Sequence, residues 1–334
     1  TQVYLMSISR AVPLEHTVIV ADAGKRYLPL VISIDEPEMH LHPYMQRSVL
    51  HYYQQLLNNE DPQFCTLLKD LFGLDGLRGQ LFIVTHSTDS LIDDYRHIIR
   101  LDRNKQGLVK AACGAGFHFS EEIEKHLIMH FPEGKEALYS RSVLIVEGET
   151  EYGCFQHFGK TLDLPFDYYG ICLINARGES SISKIASLIR RFHVPVVSLY
   201  DRDVMGEHKK SAGVFYTDYI CYEMDVVKAC LSRNGRRLLD AVIADITEGG
   251  NLVSSALVKK AGAKLAIPKG YYPPRKLSNI NPRDEKALEF YYFAWLYGNK
   301  GVIIGRSLAD HLRKDFIPPA FSKVIVAAVG ASER

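Results

Sequence analysis

The apolar positions in the first part of the chain switch between strand-like runs and helical spacing. Residues 1–29 show no clear period, and a regular pattern begins at Leu30. The predicted elements are a strand over 30–35, helices over 43–59 and 63–72, a strand over 80–86, a helix capped by Ser87 and a hairpin over 95–112. A further helix over 120–130 is broken by the Pro and Gly of 132–134. We place a domain boundary there, which separates residues 1–135 from residues 136–334.

From residue 142 onwards, short apolar runs alternate with amphipathic segments. The predicted strands cover 143–146, 171–174, 194–200 and 215–217, and the predicted helices cover 150–160, 182–192, 222–231, 285–296, 307–313 and 319–329. Strands and helices that alternate at this spacing predict a parallel sheet with right-handed crossovers. The fold class is therefore α/β, with a helical extension at the end.

Composition narrows the class of protein. With 334 residues, 47% hydrophobic and 24% charged, the chain has the make-up of a soluble globular protein of two domains. Its net charge of +1 leaves any attraction to nucleic acid to local patches. No apolar run of about 18 residues and no leader pattern occur, so we expect a cytoplasmic protein without a membrane partner. The chain starts at Thr1 in mid-pattern, and we expect it to be a fragment of a longer protein.

Carboxylates follow two of the predicted strands. Glu147 ends the run over 143–146, with Glu151 one helical turn later, and Asp201 and Asp203 end the run over 194–200. The carboxyl ends of parallel strands share one edge of a sheet, where α/β folds build their sites. Acids gathered there repel one another unless a cation neutralises them. The pattern predicts a Mg²⁺ or Mn²⁺ site; for Glu151 the alternative is a solvated acid in the first turn of a helix.

The first segment carries a second set of strand-end groups. The run from Leu30 ends in Asp35 and Glu36, and the later run ends in His86. In an NTPase such an aspartate holds magnesium, the glutamate orients water and the histidine contacts the γ-phosphate. Each residue alone is also explained as a strand-end cap or a structural histidine. No GxxxxGK[ST] phosphate loop occurs, so this chain alone is not expected to hydrolyse ATP.

Together these motifs resemble a known family. Asp35, Glu36 and His86 resemble the Walker B acids and switch histidine in the C-terminal lobe of an ABC-type ATPase, while VEGETE and YDRD resemble the two acidic motifs of a Toprim domain, a parallel-sheet, Rossmann-like fold. Their order resembles the OLD-family ("overcoming lysogenisation defect") nucleases, including those of Gabija and retron systems. The resemblance implies metal-dependent DNA cleavage in antiphage defence, and homodimers or higher oligomers formed through ATPase domains. It also implies that ATP with Mg²⁺ binds at the ATPase domain of the full-length protein. A helicase-like or retron protein is a further partner that the resemblance suggests.

The resemblance also assigns roles to individual residues. It implies two divalent metal ions held by Glu147, Glu151, Asp201 and Asp203. OLD-type sites use a further acid downstream, for which Glu223 is the choice, although Glu223 and Asp225 also suit the start of a surface helix. They also use a late lysine beside a Gly-rich turn to stabilise charge on phosphate. Lys300 fits this role with Arg306 in reserve, and the alternative is a solvated loop lysine.

A basic segment lies late in the chain. No acid occurs between Glu248 and Asp284, while this stretch holds seven Lys and Arg residues together with Tyr271 and Tyr272. Basic residues with interleaved aromatics suit a DNA backbone and its bases, and a solvated helix face is the alternative. The DNA-binding candidates are Lys259, Lys260, Lys264 and, after the strand over 171–174, Arg177. A plain turn explains Arg177 equally well.

Three function classes remain open. The first is an OLD-type nuclease. The second is another Toprim enzyme, but a primase would need zinc and nucleotide-binding elements, and a topoisomerase would need a DNA gate. The third is a non-catalytic assembly platform, against which the intact Glu147, Asp201 and Asp203 argue.

Overall fold

The computed structural model describes residues 19–91, 94–103, 106–206, 211–247, 252–268 and 274–333. The chain divides into two compact units, Thr1–Ile92 and Asp93–Arg334, and each is described by itself. None of the helices in these ranges is long and apolar enough to cross a membrane.

The first unit is built on a three-stranded sheet. Its elements are β1 (Val20–Asp22), β2 (Lys25–Asp35), α1 (Pro43–Leu57), α2 (Pro62–Phe72) and β3 (Gly76–Val84). β1 pairs with β2 in the antiparallel sense, and β2 pairs with β3 in parallel with Asp35 opposite Val84. α2 begins where Asp61 accepts two backbone N–H groups and ends at Gly73, whose φ of 64° is the left-handed conformation that glycine favours. Leu57, Phe64 and Leu68 bury one face of the sheet.

The second unit contains a four-stranded parallel sheet. The strands of this sheet are β6 (Ser142–Val146), β7 (Ile171–Asn175), β8 (Val196–Tyr200) and β9 (Val214–Tyr216). Two further strands of the unit, β4 (Ile99–Arg103) and β5 (Val109–Cys113), form a separate antiparallel hairpin. The helices of the second unit are α3 (Glu121–Gly134), α4 (Glu149–Thr161), α5 (Phe166–Tyr169), α6 (Glu179–Arg191), α7 (Tyr222–Leu231), α8 (Arg236–Ile246), α9 (Ser255–Lys264), α10 (Glu285–Gly298), α11 (Val302–His311) and α12 (Pro319–Ser332). The order in the parallel sheet is β7-β6-β8-β9.

β6 lies inside this sheet and is covered on both faces. Leu144 and Val146 join the core that contains Phe155 of α4 and residues of α12. Val143 and Ile145 join the core that contains Ile182 and other residues of α6. A strand buried on both faces must be apolar at every position, which is why the run over 143–146 shows no alternation. The predicted parallel sheet is confirmed.

Some elements differ from the sequence predictions. The helix expected after Ser87 is a single 3₁₀ turn, Thr88–Ser90, although Ser87 does cap it by accepting the Asp89 N–H. α6 starts three residues before its predicted start, and α11 starts at Val302 rather than residue 307. Helical spacing marks the buried face, so the polar first turn of α6 goes undetected, and the continuous apolar run that opens α11 shows no helical period.

The division into units also lies elsewhere than the predicted boundary near residue 135. The second unit includes the β4–β5 hairpin, because Arg100 donates hydrogen bonds to the carbonyls of Leu138 (2.7 Å) and Phe192 (2.8 Å). Phe117 also packs edge-on against Phe192, with ring centroids 4.8 Å apart. These contacts join segments that are distant in sequence, so the local composition near residue 135 did not reveal them.

A candidate metal centre at the carboxyl edge of the parallel sheet

The predicted acids of the second unit lie at one edge of its sheet. Glu147 follows β6, Glu151 lies in the first turn of α4, and Asp201 follows β8. β6 and β8 are parallel neighbours, so their carboxyl ends meet. Glu151 is 8% exposed and Asp201 is 6% exposed. Burial of this extent excludes the solvated helix acid that was the alternative for Glu151.

α7 brings another acid to this edge. Asp201 Oδ1 accepts the Tyr222 N–H at 2.9 Å, which fixes the start of α7 against the end of β8. Glu223, the next residue, is 1% exposed and therefore does not lie on a surface helix. Asp225 has a different role, because its two oxygens accept the N–H groups of Asp218 and Tyr219 and shape the preceding turn.

Lys300, in the turn between α10 and α11, lies close to these acids. Its Nζ lies 2.8 Å from Glu223 Oε1 and 4.8 Å from the centre of the Tyr297 ring. The adjacent Gly301 N–H donates to Thr150 Oγ1 at 3.0 Å, which ties the start of α11 to α4. Arg306, the reserve candidate, is exposed on α11 and lines a different cavity beside His157.

The four DNA-binding candidates have different surroundings. Lys264 donates a hydrogen bond to Asp203, so it belongs to the acidic centre. Lys259 is exposed, and Lys260 lies over the Tyr297 ring at 5.2 Å. Arg177 is exposed in the turn after β7, with a φ of 56° and its N–H bonded to Asn175 Oδ1. The basic segment's Lys269, Tyr271 and Tyr272 lie outside the described residues.

Burial raises the pKa values of the central acids. Burial, reinforced by Glu151, Glu147 and Glu223, raises the pKa of Asp201 to about 8. Burial and the charge of Glu223 raise the pKa of Glu151 to about 7. The pKa of Glu147 is also raised, mainly by burial, although the charge of Lys300 opposes the change. Two lysines therefore do not balance the negative charge gathered at this edge.

The donor set fits a divalent cation. Carboxylate oxygens are the ligands that Mg²⁺ and Mn²⁺ prefer, and one oxygen each of Glu147 and Glu223 is buried without a hydrogen-bond partner. As they stand, however, no three His, Cys, Asp or Glu side chains of the described ranges form a group that could enclose a metal ion. Lys300 and Lys264 hold two of the acids by direct contact, so cation binding would require these ion pairs to rearrange.

This charge imbalance predicts how stability depends on pH. In the unfolded chain Asp201 and Glu151 regain ordinary pKa values near 4. Between about pH 4 and pH 8 the folded state then holds more protons than the unfolded state, so folding stability falls as pH rises. With metal chelated, we expect the second unit to lose on the order of 5 kcal/mol, or about 15 °C in Tm, between about pH 5 and pH 8.

The measurement is thermal unfolding in EDTA across this pH range, repeated with saturating Mn²⁺. Because metal binding favours ionised carboxylates, Mn²⁺ should raise Tm more at pH 8 than at pH 5. A Tm that is flat or rises with pH in EDTA would contradict the prediction.

The first unit has its own strand-end cluster. Asp35 ends β2 and Glu36 follows it. The Glu36 N–H donates to the Val84 carbonyl at 2.8 Å, which fixes the backbone of Glu36 against the end of β3. His86 Nε2 lies 4.0 Å from Glu36 Oε1. The structure thus brings the three predicted ATPase residues to one edge, where all three are at least partly exposed.

Glu38 is a member of this cluster that the sequence reasoning missed. Its carboxylate accepts hydrogen bonds from Thr85 Oγ1 (2.7 Å) and the His86 N–H (2.8 Å), which join the two strand ends. Burial pushes the pKa of Glu38 upwards, but these hydrogen bonds outweigh it and hold the pKa below its ordinary value. Its position in IDEPE, two residues after a strand-end acid, was the available signal.

Two segments of the chain match known domain families. Residues 138–203 match the TOPRIM domain of overcoming lysogenization defect protein-like proteins. Residues 17–93 match an AAA domain family whose description names the AbiEii toxin of type IV toxin–antitoxin systems. The chain therefore combines an AAA-type ATPase segment with an OLD-like Toprim domain, which supports an OLD-type ATPase–Toprim arrangement. The resemblance stated from the motifs is thereby confirmed, and so is the α/β fold of an ATPase lobe followed by a Toprim domain.

The matched ranges show which site residues belong to the shared domains. The OLD-like Toprim match contains Glu147, Glu151, Asp201 and Asp203, whereas Glu223 and Lys300 lie beyond it. The AAA match contains the cluster of the first unit.

Solved structures of OLD proteins resemble this chain in part. The C-terminal region of the Burkholderia pseudomallei OLD protein is 17% identical, with 58% of this chain and 98% of that chain covered and a TM-score of 0.37. The C-terminal region of the Xanthomonas campestris pv. campestris OLD protein is 16% identical, with 59% and 96% covered and a TM-score of 0.37. Comparison with curated proteins found no match.

Proposed function

We propose that the second unit is a divalent-metal-dependent DNA endonuclease that nicks or cleaves the phosphodiester backbone. One observation carries the proposal: the buried acids Glu151, Asp201 and Glu223 lie with a lysine at the carboxyl edge of the sheet of an OLD-like Toprim domain, where Glu147 ends β6. Toprim and AAA domains are of types that bind divalent metals. The excess negative charge at this edge supports such a role here.

The protein's own residues would divide the work. Glu147, Glu151, Asp201, Asp203 and Glu223 would hold one or two Mg²⁺ or Mn²⁺ ions. When bound, such ions lower the pKa of water and neutralise charge that develops on phosphate. Lys300 is oriented by Glu223 and would provide positive charge against the transferring phosphate. Lys264, once released from Asp203, would be available to the DNA backbone with Lys259 and Lys260.

Regulation is proposed to come from the first unit. Asp35, Glu36 and His86 share one edge and have the residue types that hold Mg²⁺ and the γ-phosphate of ATP. The phosphate loop would come from elsewhere in the full-length protein, which would form homodimers or higher oligomers through its ATPase domains. We propose a cytoplasmic antiphage role with DNA as the substrate. A helicase-like or retron protein is the partner that this role would allow.

Plasmid nicking tests the central claim. With Mg²⁺ or Mn²⁺, the wild-type chain should convert supercoiled plasmid to the open-circular form, and Glu147→Gln should reduce the rate on the order of 100-fold or more. Glu149→Gln is the matched control, because Glu149 is an exposed acid two residues away. It should retain activity within about twofold of the wild type.

Three results would count against the proposal. Equal activity in the wild type and Glu147→Gln would reject the site. Synthesised primers or relaxed topoisomers would favour another class of Toprim enzyme. No activity with any divalent metal would favour an assembly platform.

A further inference from the structure

The turn after β7 brings an additional acid to the metal centre. β7 is the neighbour of β6, with Asn175 opposite Val146. Beyond this pair the two chains stay in contact, because the Gly178 N–H donates to the Glu147 carbonyl at 2.9 Å. Gly178 has a φ of 133°, a conformation that favours glycine, and the next residue is Glu179, the first of α6. Glu179 therefore begins beside the backbone of Glu147.

The carboxylates of Glu147 and Glu179 each have one unsatisfied oxygen. Oε2 of each is buried, and neither atom has a hydrogen-bond partner. Lys300 is paired with Glu223 and Lys264 with Asp203, so both lysines of the centre contact other acids. The backbone contact between Gly178 and Glu147 holds Glu147 and Glu179 at the ends of neighbouring strands.

The helix dipole does not explain this arrangement. The helix dipole commonly stabilises an acid in the first turn of a helix, but such an acid is usually exposed to solvent. A buried carboxylate oxygen without a partner is costly, and two of them side by side are more so. Such a pair is retained where a ligand supplies the missing positive charge.

We propose that Glu179 is a further ligand of the divalent cation that Glu147 holds, so that β6, β7 and β8 all contribute acids to the centre. The inference rests on the proposed metal-dependent function. It extends the centre to the strand on the other side of β6 from β8.

Calorimetric titration of Mn²⁺ into the full chain tests this assignment without relying on activity. Glu179→Gln should weaken Mn²⁺ binding about tenfold or more, or remove one binding site, and Glu179→Asp should bind with intermediate affinity. Glu149→Gln, an exposed acid in the first turn of α4, should bind within about twofold of the wild type. In EDTA, the Tm of Glu179→Gln should equal or exceed that of the wild type, because a repulsion has been removed.

The outcomes separate this inference from the proposed function. Wild-type binding together with unchanged binding by Glu179→Gln overturns the inference alone, and so does an equal loss in Glu149→Gln. A lower Tm for Glu179→Gln in EDTA identifies a structural role and also overturns it. A wild-type chain that binds no Mn²⁺ and nicks no plasmid overturns both.

Discussion

Replacing Asp201 with asparagine is expected to abolish metal-dependent nicking while making the metal-free protein more stable. The amide retains the shape of the side chain, and its oxygen still accepts the Tyr222 N–H. It removes, however, a charge that burial and three neighbouring glutamates disfavour, as the raised pKa of about 8 shows. Above about pH 8 the wild-type side chain is ionised in the folded state at a cost in stability, whereas the variant is not.

The expected gain for Asp201→Asn in EDTA near pH 8.5 is on the order of 5 kcal/mol, or about 15 °C in Tm, and it should shrink as pH falls and vanish below about pH 4, where the unfolded wild type is also protonated. Mn²⁺ should no longer raise Tm, and nicking should fall on the order of 100-fold. Asp310→Asn is the control, because Asp310 is exposed on α11. A variant that is less stable than the wild type in EDTA and still gains Tm from Mn²⁺ would show that Asp201 is structural.

Gly305→Ala is expected to cause the largest loss of stability. A Cβ atom at this position would lie 2.2 Å from the Thr150 carbonyl oxygen and 3.0 Å from the Gly153 Cα atom. Both obstacles are on the α4 backbone, so the clash cannot be relieved by rotating a side chain. α4 and α11 would have to separate, at a cost of about 3 kcal/mol, or about 10 °C in Tm.

The same substitution should also reduce activity, because α4 follows Glu147 and α11 follows Lys300. Gly330→Ala is the matched control: Gly330 lies in α12, where a Cβ atom would have no neighbour within 4 Å. It should be neutral or stabilise by up to about 1 kcal/mol, since alanine favours helix. Similar Tm values for the two variants would refute close α4–α11 packing as the device that positions Lys300.

The sequence predicted elements best where the core imposes a pattern. The run over 143–146 is apolar throughout because β6 is buried on both faces, and α7 occupies the predicted range over 222–231. Starts whose apolar residues do not follow helical spacing were less well placed, as α11 shows: it opens with Val302, Ile303 and Ile304, of which Ile303 is exposed, and Gly305 serves a close helix contact. Close packing of two backbones leaves no trace in hydrophobic periodicity.

The sequence by itself determined the two domain types, the α/β class and the strand ends that carry Glu147, Asp201 and the acids of the first unit, because a strand and the polar residue that ends it are local features. Only the tertiary structure decided which other charges join them. Glu223 also suited a surface helix but is buried against Lys300, Lys264 was predicted to contact DNA but holds Asp203, and Glu179 was not identified from the sequence. The physical reason is that burial and charge pairing depend on contacts between elements far apart in the chain, which no local pattern records.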